Sequence, residues 1–469
     1  EYLDQLKSIG INIIHELKWF NSVSAMLTDK QVNNISQFDF VEKIERVKKL
    51  KFITKDNDEK LNKISETQSI NYTHEYGPSL TQNELSDIPL VHDLGFAGNG
   101  VLVGILDAGF AWQDHVALKD RNVLAERDFV NGDSNTDDGD ASHGTAVFSI
   151  MAGFDEGSII GPAYDAQFVL AKTEYIYTET HLEEDNFVAG LQWMDSIGVD
   201  ITSTSLGYSE FDSGEGDYTY EDMDGKTTIV TIAAEIAYSK GIMLINSAGN
   251  EGNETWKYIT APGDAFHVIT VGAVNSLREL AAFSSVGPTY DGRIKPEVVA
   301  QGVNCYHADA YSNKYRTGSG TSYSAPIVAG ITAQLLSAFP YLTNTQMREI
   351  IIASADSTEN PNNEYGYGLL SARRALEYPN IKLPDANLGE QVSSINRLFT
   401  DSMGVLADSV FILFQVNSEE SISKQKMNTS GNNLYSAPYY GEIGDTIKFW
   451  FEYTNTEHLK KRSPSSGYY

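Results

Sequence analysis

Between residues 77 and 378, short runs rich in Val and Ile alternate with segments of helical period, and this limits the fold more than any other feature. The strand-like runs are VLVGIL (101–106), AQFVLAK (166–172), DITSTSL (200–206), IMLINSA (242–248) and FHVITVGAV (266–274). Between them lie the helical patterns HGTAVFSIMAG, EDNFVAGLQWMDSIG and KTTIVTIAAEIAYSKG. Strands so continuously apolar are buried on both faces, so the expectation is an α/β domain: a parallel sheet with helices on both sides. In such folds, chemistry collects at the carboxyl ends of the strands.

The residues just past each strand therefore carry the most information. The first strand runs into DAGF, which puts Asp107 at its end; the fourth runs into NSAGNEG, which puts Asn250 among small residues. The segment DGDASHGTAVFSIMAG sets His143 at the start of one helix, and GTSYSAP sets Ser322 at the start of another. These points can meet on one rim. There a histidine can take a serine proton while an aspartate orients the ring and stabilises the imidazolium. A helix start exposes the serine, and the dipole favours negative charge beside it. Pro326 is tolerated because an early helical position has no N–H partner to lose. The Asn250 amide and the Ser322 N–H can serve as donors to a developing oxyanion.

Taken together and in this order, DAG, HGTAV, SLG (205–207), AGNEG and GTSYSAP resemble the motifs of the subtilases, the subtilisin-like serine proteases. The order Asp, His, Ser is that of the subtilisins and not of chymotrypsin or the α/β-hydrolases. FSSVGPTYDGRIKPEVVA (283–300) also resembles the segment before the family's serine, and the similarity covers roughly residues 90–378. The resemblance implies a catalytic triad of Asp107, His143 and Ser322, with Asn250 in the oxyanion hole. It implies that Ser205, Leu206 and Gly207 pair with substrate backbone as an added strand. It also implies that Ser247, Ala248 and Gly249 line the pocket for the side chain before the cut bond. No cofactor is needed for the chemistry; structural calcium is a family habit. Two residues depart from the pattern. Ala108 stands where Ser or Thr is commoner, which removes a hydroxyl beside the aspartate. Tyr208 stands where Gly is frequent, from which a narrower substrate groove is expected.

The flanks differ in character. Residues 1–52 suggest a small α+β unit: a helix at EYLDQLKSIG, two strands around Phe20-Asn21, a helix capped by Thr28 or Asp29, and renewed alternation in FVEKIERVKKL. So small a unit is marginal alone and is expected to dock on something. It resembles the family's inhibitory propeptide without its first strand. Residues 53–76 are polar and read as a linker with a processing site. Residues 379–469 lose helical period and suggest a β domain, incomplete at its end, with strands at SVFILFQV and DTIKFWFEYT. Ile447, Phe449, Phe451 and Tyr453 share one face and are expected to form core.

A formal charge of −30 argues against nucleic acid as a partner. Cys305 is the only cysteine, which excludes an internal disulfide and a thiolate metal cluster. No uncharged apolar run reaches membrane-spanning length. The chain starts at Glu1, and missing targeting signals carry no weight; a secreted, cell-surface or periplasmic location comes only from the resemblance. The glycines of GNGVLVG precede a strand, whereas a phosphate-cradling loop lies between strand and helix. The acidic loops DSNTDDGD (133–140) and EFDSGEGDYTYEDMDG (210–225) read as solvated surface, with Asp222 and Asp224 as the calcium candidates. The function expected is a serine endopeptidase acting on protein or peptide substrates, with its own propeptide as intramolecular inhibitor. The alternative is a catalytically silent, protease-like binding or adhesion module.

Overall fold

The computed structural model describes residues 2–45, 47, 72–137, 139–175, 177, 180–212, 216–384, 392–400, 403–417, 421–429, 431, 433–440 and 444–469. The N-terminal unit comprises α1 (Tyr2–Ser8), β1 (Asn12–Leu17), β2 (Ser22–Met26) and α2 (Asp29–Ile35). Asn21 supplies the left-handed residue between the strands, at φ 49°. Thr28 caps α2 in a reciprocal box with Gln31. A bulge between Ile13 and His15 switches the parity of β1. Ile11, Ile13, Val23 and Ala25 therefore pack with Leu6 and Ile35 of the unit's own helices, while Leu17 enters the core of the larger domain. The alternation in 41–52 yields no strand over 41–45, and most of the remainder lies outside the described residues. Among the described residues the sheet here is β1–β2 alone.

The central sheet has seven parallel strands. They are β3 (Leu102–Asp107), β4 (Asn122–Asp128), β5 (Gln167–Lys172), β6 (Ile201–Thr204), β7 (Met243–Ser247), β8 (Ile269–Val274) and β9 (Val298–Gln301), in spatial order β9-β8-β7-β6-β3-β5-β4. The chain builds one side of β3 and then crosses to the other, so β3 ends at a topological switch point. Helices α3 (Ser142–Ala152) and α6 (Thr321–Ala338) pack on one face, and α4 (His181–Ile197) and α5 (Ile229–Ser239) on the other. Strand β3 feeds both cores: Val103 and Ile105 join Val147, Ile150 and Val328, whereas Leu106 joins Phe187, Leu191 and Ala233. That is why these strands read as unbroken apolar runs.

The N-terminal unit docks on α4. His15 Nε2 lies 2.6 Å from Asn186 Oδ1, the Ser24 hydroxyl donates to Asp185 at 2.5 Å, and the Trp19 N–H donates to Gln192 at 2.9 Å. Burial of Leu17 adds about 1.5–3 kcal/mol to that docking.

Beyond α6 come two helices, Asn344–Ala353 and Ala372–Glu377, and then, among the described residues, two four-stranded antiparallel sheets, more strands than the two expected. Ile395, Ile412, Tyr435, Phe449 and Phe451 form their core, with Ile447 and Tyr453 packed against it, so the aromatic face is core as expected. Among the described residues, no helix is long and apolar enough to cross a membrane.

Candidate active site

Asp107 is the last residue of β3 and is completely buried. One carboxylate oxygen, Oδ1, accepts both the Ala108 N–H at 2.8 Å and His143 Nδ1 at 2.7 Å. A carboxylate can only accept, so Nδ1 carries the proton and Nε2 is left as the base. The other oxygen, Oδ2, is buried without a partner. Ala108 has no hydroxyl to offer it, which is the physical consequence of the departure seen in the sequence.

His143 is the second residue of α3. Gly144 explains how the helix comes so near the strand end. A Cβ there would lie 2.1 Å from the Gly109 carbonyl oxygen and 3.1 Å from the Asp107 Cβ. Thr145 pins the helix start, accepting the Ala111 N–H at 2.8 Å and donating to Ala141 O at 2.6 Å. The His143 side chain is 37% exposed. Burial pulls its pKa down, but the charge and hydrogen bond of Asp107, and then the charge of Asp140, outweigh it, so the pKa stands above the ordinary 6.5. The acid limb of kcat/KM is therefore expected to have its midpoint above 6.5, with activity rising as pH rises and the ring loses its proton. A pH profile on a neutral peptide substrate checks this; a midpoint below 6.5 would contradict it.

Ser322 is the second residue of α6 and almost fully buried. Its N–H has no intrahelical acceptor at that position. Its hydroxyl donates to the Ser205 carbonyl at 3.4 Å, and the Ser205 hydroxyl returns a bond to the Ser322 carbonyl at 2.9 Å. Ser322 and His143 share no hydrogen bond in this structure. The neighbouring Tyr323 ring lies 6.3 Å from the His143 ring, so the two helix starts lie close together.

Asn250 lies just beyond β7. Its Oδ1 accepts the Thr321 N–H at 2.9 Å and the Thr321 hydroxyl at 3.0 Å. Two donors on one oxygen fix the amide's orientation and leave Nδ2 as a donor toward Gly320, whose Cβ position would lie 3.6 Å away. Thr321 is thus a positioning residue that the sequence left without a role, although it immediately precedes the serine.

The segments 205–207 and 247–249 flank this point, through Ser205 and Gly249 bonded to Ser322 and Thr321. Gly207 is exposed and makes no backbone hydrogen bond among the described residues, whereas the Leu206 carbonyl already accepts from Asn246 at 3.1 Å. Ser247 ends β7, Ala248 is wholly buried, and Gly249 has φ 101°. Tyr208 corrects an expectation. Its side chain is buried: its hydroxyl donates to Glu174 at 2.7 Å, its ring packs edge-on against Phe187, and it is 1% exposed. It does not narrow the groove.

Asp222 and Asp224 do not fit a calcium site. Asp222 accepts the Thr219 N–H and hydroxyl, Asp224 accepts the Lys226 N–H, and no group of three or more metal-binding side chains gathers among the described residues.

Residues 98–368 match the model of the "Subtilase family", and residues 1–66 match that of the "Peptidase S8 propeptide domain, Bacteroidota". The chain is 32% identical to subtilisin DY of Bacillus licheniformis, over 60% of this chain and 93% of that protein. It is 27% identical to subtilisin NAT of Bacillus subtilis subsp. natto, over 80% and 85% respectively. With a thermostable alkaline protease of Halalkalibacterium halodurans it shares 28% identity, over 79% of this chain and 87% of that one.

Proposed function

Because the chain belongs to the subtilase family, we propose that it is a serine endopeptidase, made as an autoinhibited precursor, that works through Asp107, His143, Ser322 and Asn250. The observation that carries this most is the 2.7 Å bond between His143 Nδ1 and a buried aspartate at the switch point, with the His143 ring 6.3 Å from that of Tyr323, the residue after Ser322. A rotation of the Ser322 hydroxyl away from Ser205 toward Nε2 completes the relay; such bonds are often loose before substrate binds. The hydroxyl then attacks the peptide carbonyl carbon as Nε2 takes its proton. The oxyanion is held by Asn250 Nδ2 and the Ser322 N–H. Collapse breaks the C–N bond, with the proton passing from Nε2 to the leaving amine. Water then adds to the acyl-enzyme by the same route and releases the acid. Substrate backbone pairs along 205–207, where Gly207 keeps both its polar groups free among the described residues. None of these steps takes a cofactor.

The domain limits proposed are an inhibitory unit over 1–52, a catalytic domain over 77–378 and a β domain over 379–469. Residues 72–76 are tied to the catalytic domain: the Glu75 N–H donates to Glu156 at 2.6 Å, and His74 bonds Glu156 and Tyr164. Of the linker expected over 53–76, the part 53–71 lies outside the described residues. We place the processing cut there, and N-terminal sequencing of the mature protein checks it. Export is proposed from the propeptide match alone.

Asn250→Ala is expected to lower kcat by roughly 10²–10³, with KM little changed, because the amide acts on the transition state; that magnitude was established in subtilisin, a relative. Steady-state kinetics on one peptide substrate distinguishes this from a rise in KM alone.

A further inference from the structure

The candidate active site takes the carboxyl ends of the central strands. At their amino ends lies a cavity of about 500 Å³. Val101 lines it just before β3, Asp200 just before β6 and Gly241 shortly before β7. The last turn of α6 and the first of the helix Asn344–Ala353 close its sides. On α6, Ser337 in its wall is roughly 22 Å along the axis from Ser322, so an occupant does not enter the substrate cleft.

Most side-chain polar groups in this wall are spent on other protein groups. The Ser337 hydroxyl donates to Asn99 at 2.7 Å, and Asn344 Nδ2 donates to Tyr238 O at 2.7 Å. Asp200 is different. Its Oδ2 accepts the Leu102 N–H at 2.9 Å, while its own N–H donates to Leu102 O and its carbonyl accepts from Met243, each at 2.9 Å. Three strand starts thus hold the carboxylate in place, yet its Oδ1 accepts no hydrogen bond among the described residues. Burial pushes its pKa up, and only the Leu102 N–H pulls against that. The lining contains no Lys, Arg or His, and Lys240, beside Gly241 of the wall, pairs with Asp195 at 3.0 Å instead. Helix α6 ends here as well. Pro340 has no N–H to give the Leu336 carbonyl, and among the described residues neither that carbonyl nor the one of Ser337 accepts a hydrogen bond. The negative end of the helix therefore adds to the charge of Asp200. A half-buried carboxylate without a counter-charge costs stability until a cation meets it. The rest of the wall is apolar: Val101, Leu342 and Met347 line it and are almost fully buried.

We propose that this cavity binds an ammonium group carried on a short aliphatic arm, as in an alkylamine or a lysine side chain. The ammonium donates to Asp200 Oδ1 below the end of α6, and the arm lies against Val101, Leu342 and Met347. A bare metal ion fits less well, because it leaves the apolar wall unused and no three metal-binding side chains gather among the described residues.

The test uses the full chain carrying Ser322→Ala, which prevents loss of protein by self-cleavage. n-Butylammonium chloride and Nα-acetyl-lysine amide are titrated separately at constant ionic strength, read by calorimetry and by the melting temperature. At least one of them should bind saturably and raise Tm, and the tighter one identifies the source as a free amine or a lysine side chain. Butan-1-ol, which has the arm without the charge, should give no saturable shift. Asp200→Asn keeps an oxygen for the Leu102 N–H, so the strand starts stay tied, and it should bind at least about tenfold more weakly. Ser337→Trp leaves Asp200 in place but fills the cavity, and should weaken binding in the same way. Unchanged affinity in both variants, an equal effect of butan-1-ol, or no saturable binding by a chain that circular dichroism shows to be folded overturns the inference.

Discussion

Replacing Ser322 with alanine is expected to leave the precursor uncut within 53–71 and to lower turnover by on the order of 10⁶, the size found when subtilisin loses its nucleophile. The effect is this large because the relay acts as a unit. Without the hydroxyl there is no acyl-enzyme, and the proton that His143 is placed to receive has no source. The substitution removes one oxygen from the second residue of α6, and among the described residues the only bond its hydroxyl makes is a 3.4 Å contact to the Ser205 carbonyl. Folding should therefore be unaffected, which circular dichroism and the urea midpoint can verify. The readout is the mass of the purified chain together with peptide turnover. A Ser322→Ala chain that still matures when expressed and purified alone would mean that another group makes the cut.

The second large effect is expected at Asp107→Asn, with a loss of roughly 10⁴ in kcat, as in other serine proteases of this relay. Asp107 Oδ1 takes two N–H donors, from Ala108 and His143, within a completely buried site. An asparagine can turn its NH₂ toward His143 Nδ1, which places the ring proton on Nε2 and removes the base. The charge is lost as well, and that charge is what lifts the His143 pKa above its ordinary value against burial. Whatever activity remains should thus have its acid limb at lower pH than the wild type. Lower activity with an unmoved acid limb would show that Asp107 acts by packing and not by charge.

Much of this was legible from the chain. The central strands and the helices between them were visible because burial on both faces makes strands continuously apolar, and burial on one face gives helices their period. The positions of Asp107, His143, Ser322 and Asn250 were legible because the first ends a strand, the next two start helices and the last lies just past a strand, all near small residues; their catalytic roles are the proposal made above. Strand β4 was not visible: it is an edge strand, and its Glu126, Arg127 and Asp128 break the apolar run. Strand β9 has four residues and disappears into a Pro-flanked segment. The groove-narrowing expected of Tyr208 failed because sequence order shows which residue comes after Gly207 but not which way it turns.

The central claim is that Ser322 is a nucleophile activated by His143. Incubating the processed protein with a fluorophosphonate and mapping the adduct by peptide mass spectrometry tests it most directly. The adduct should fall on Ser322 alone and should fade in His143→Ala. A protein that remains unlabelled after removal of its N-terminal unit, or one labelled equally well without His143, would contradict it.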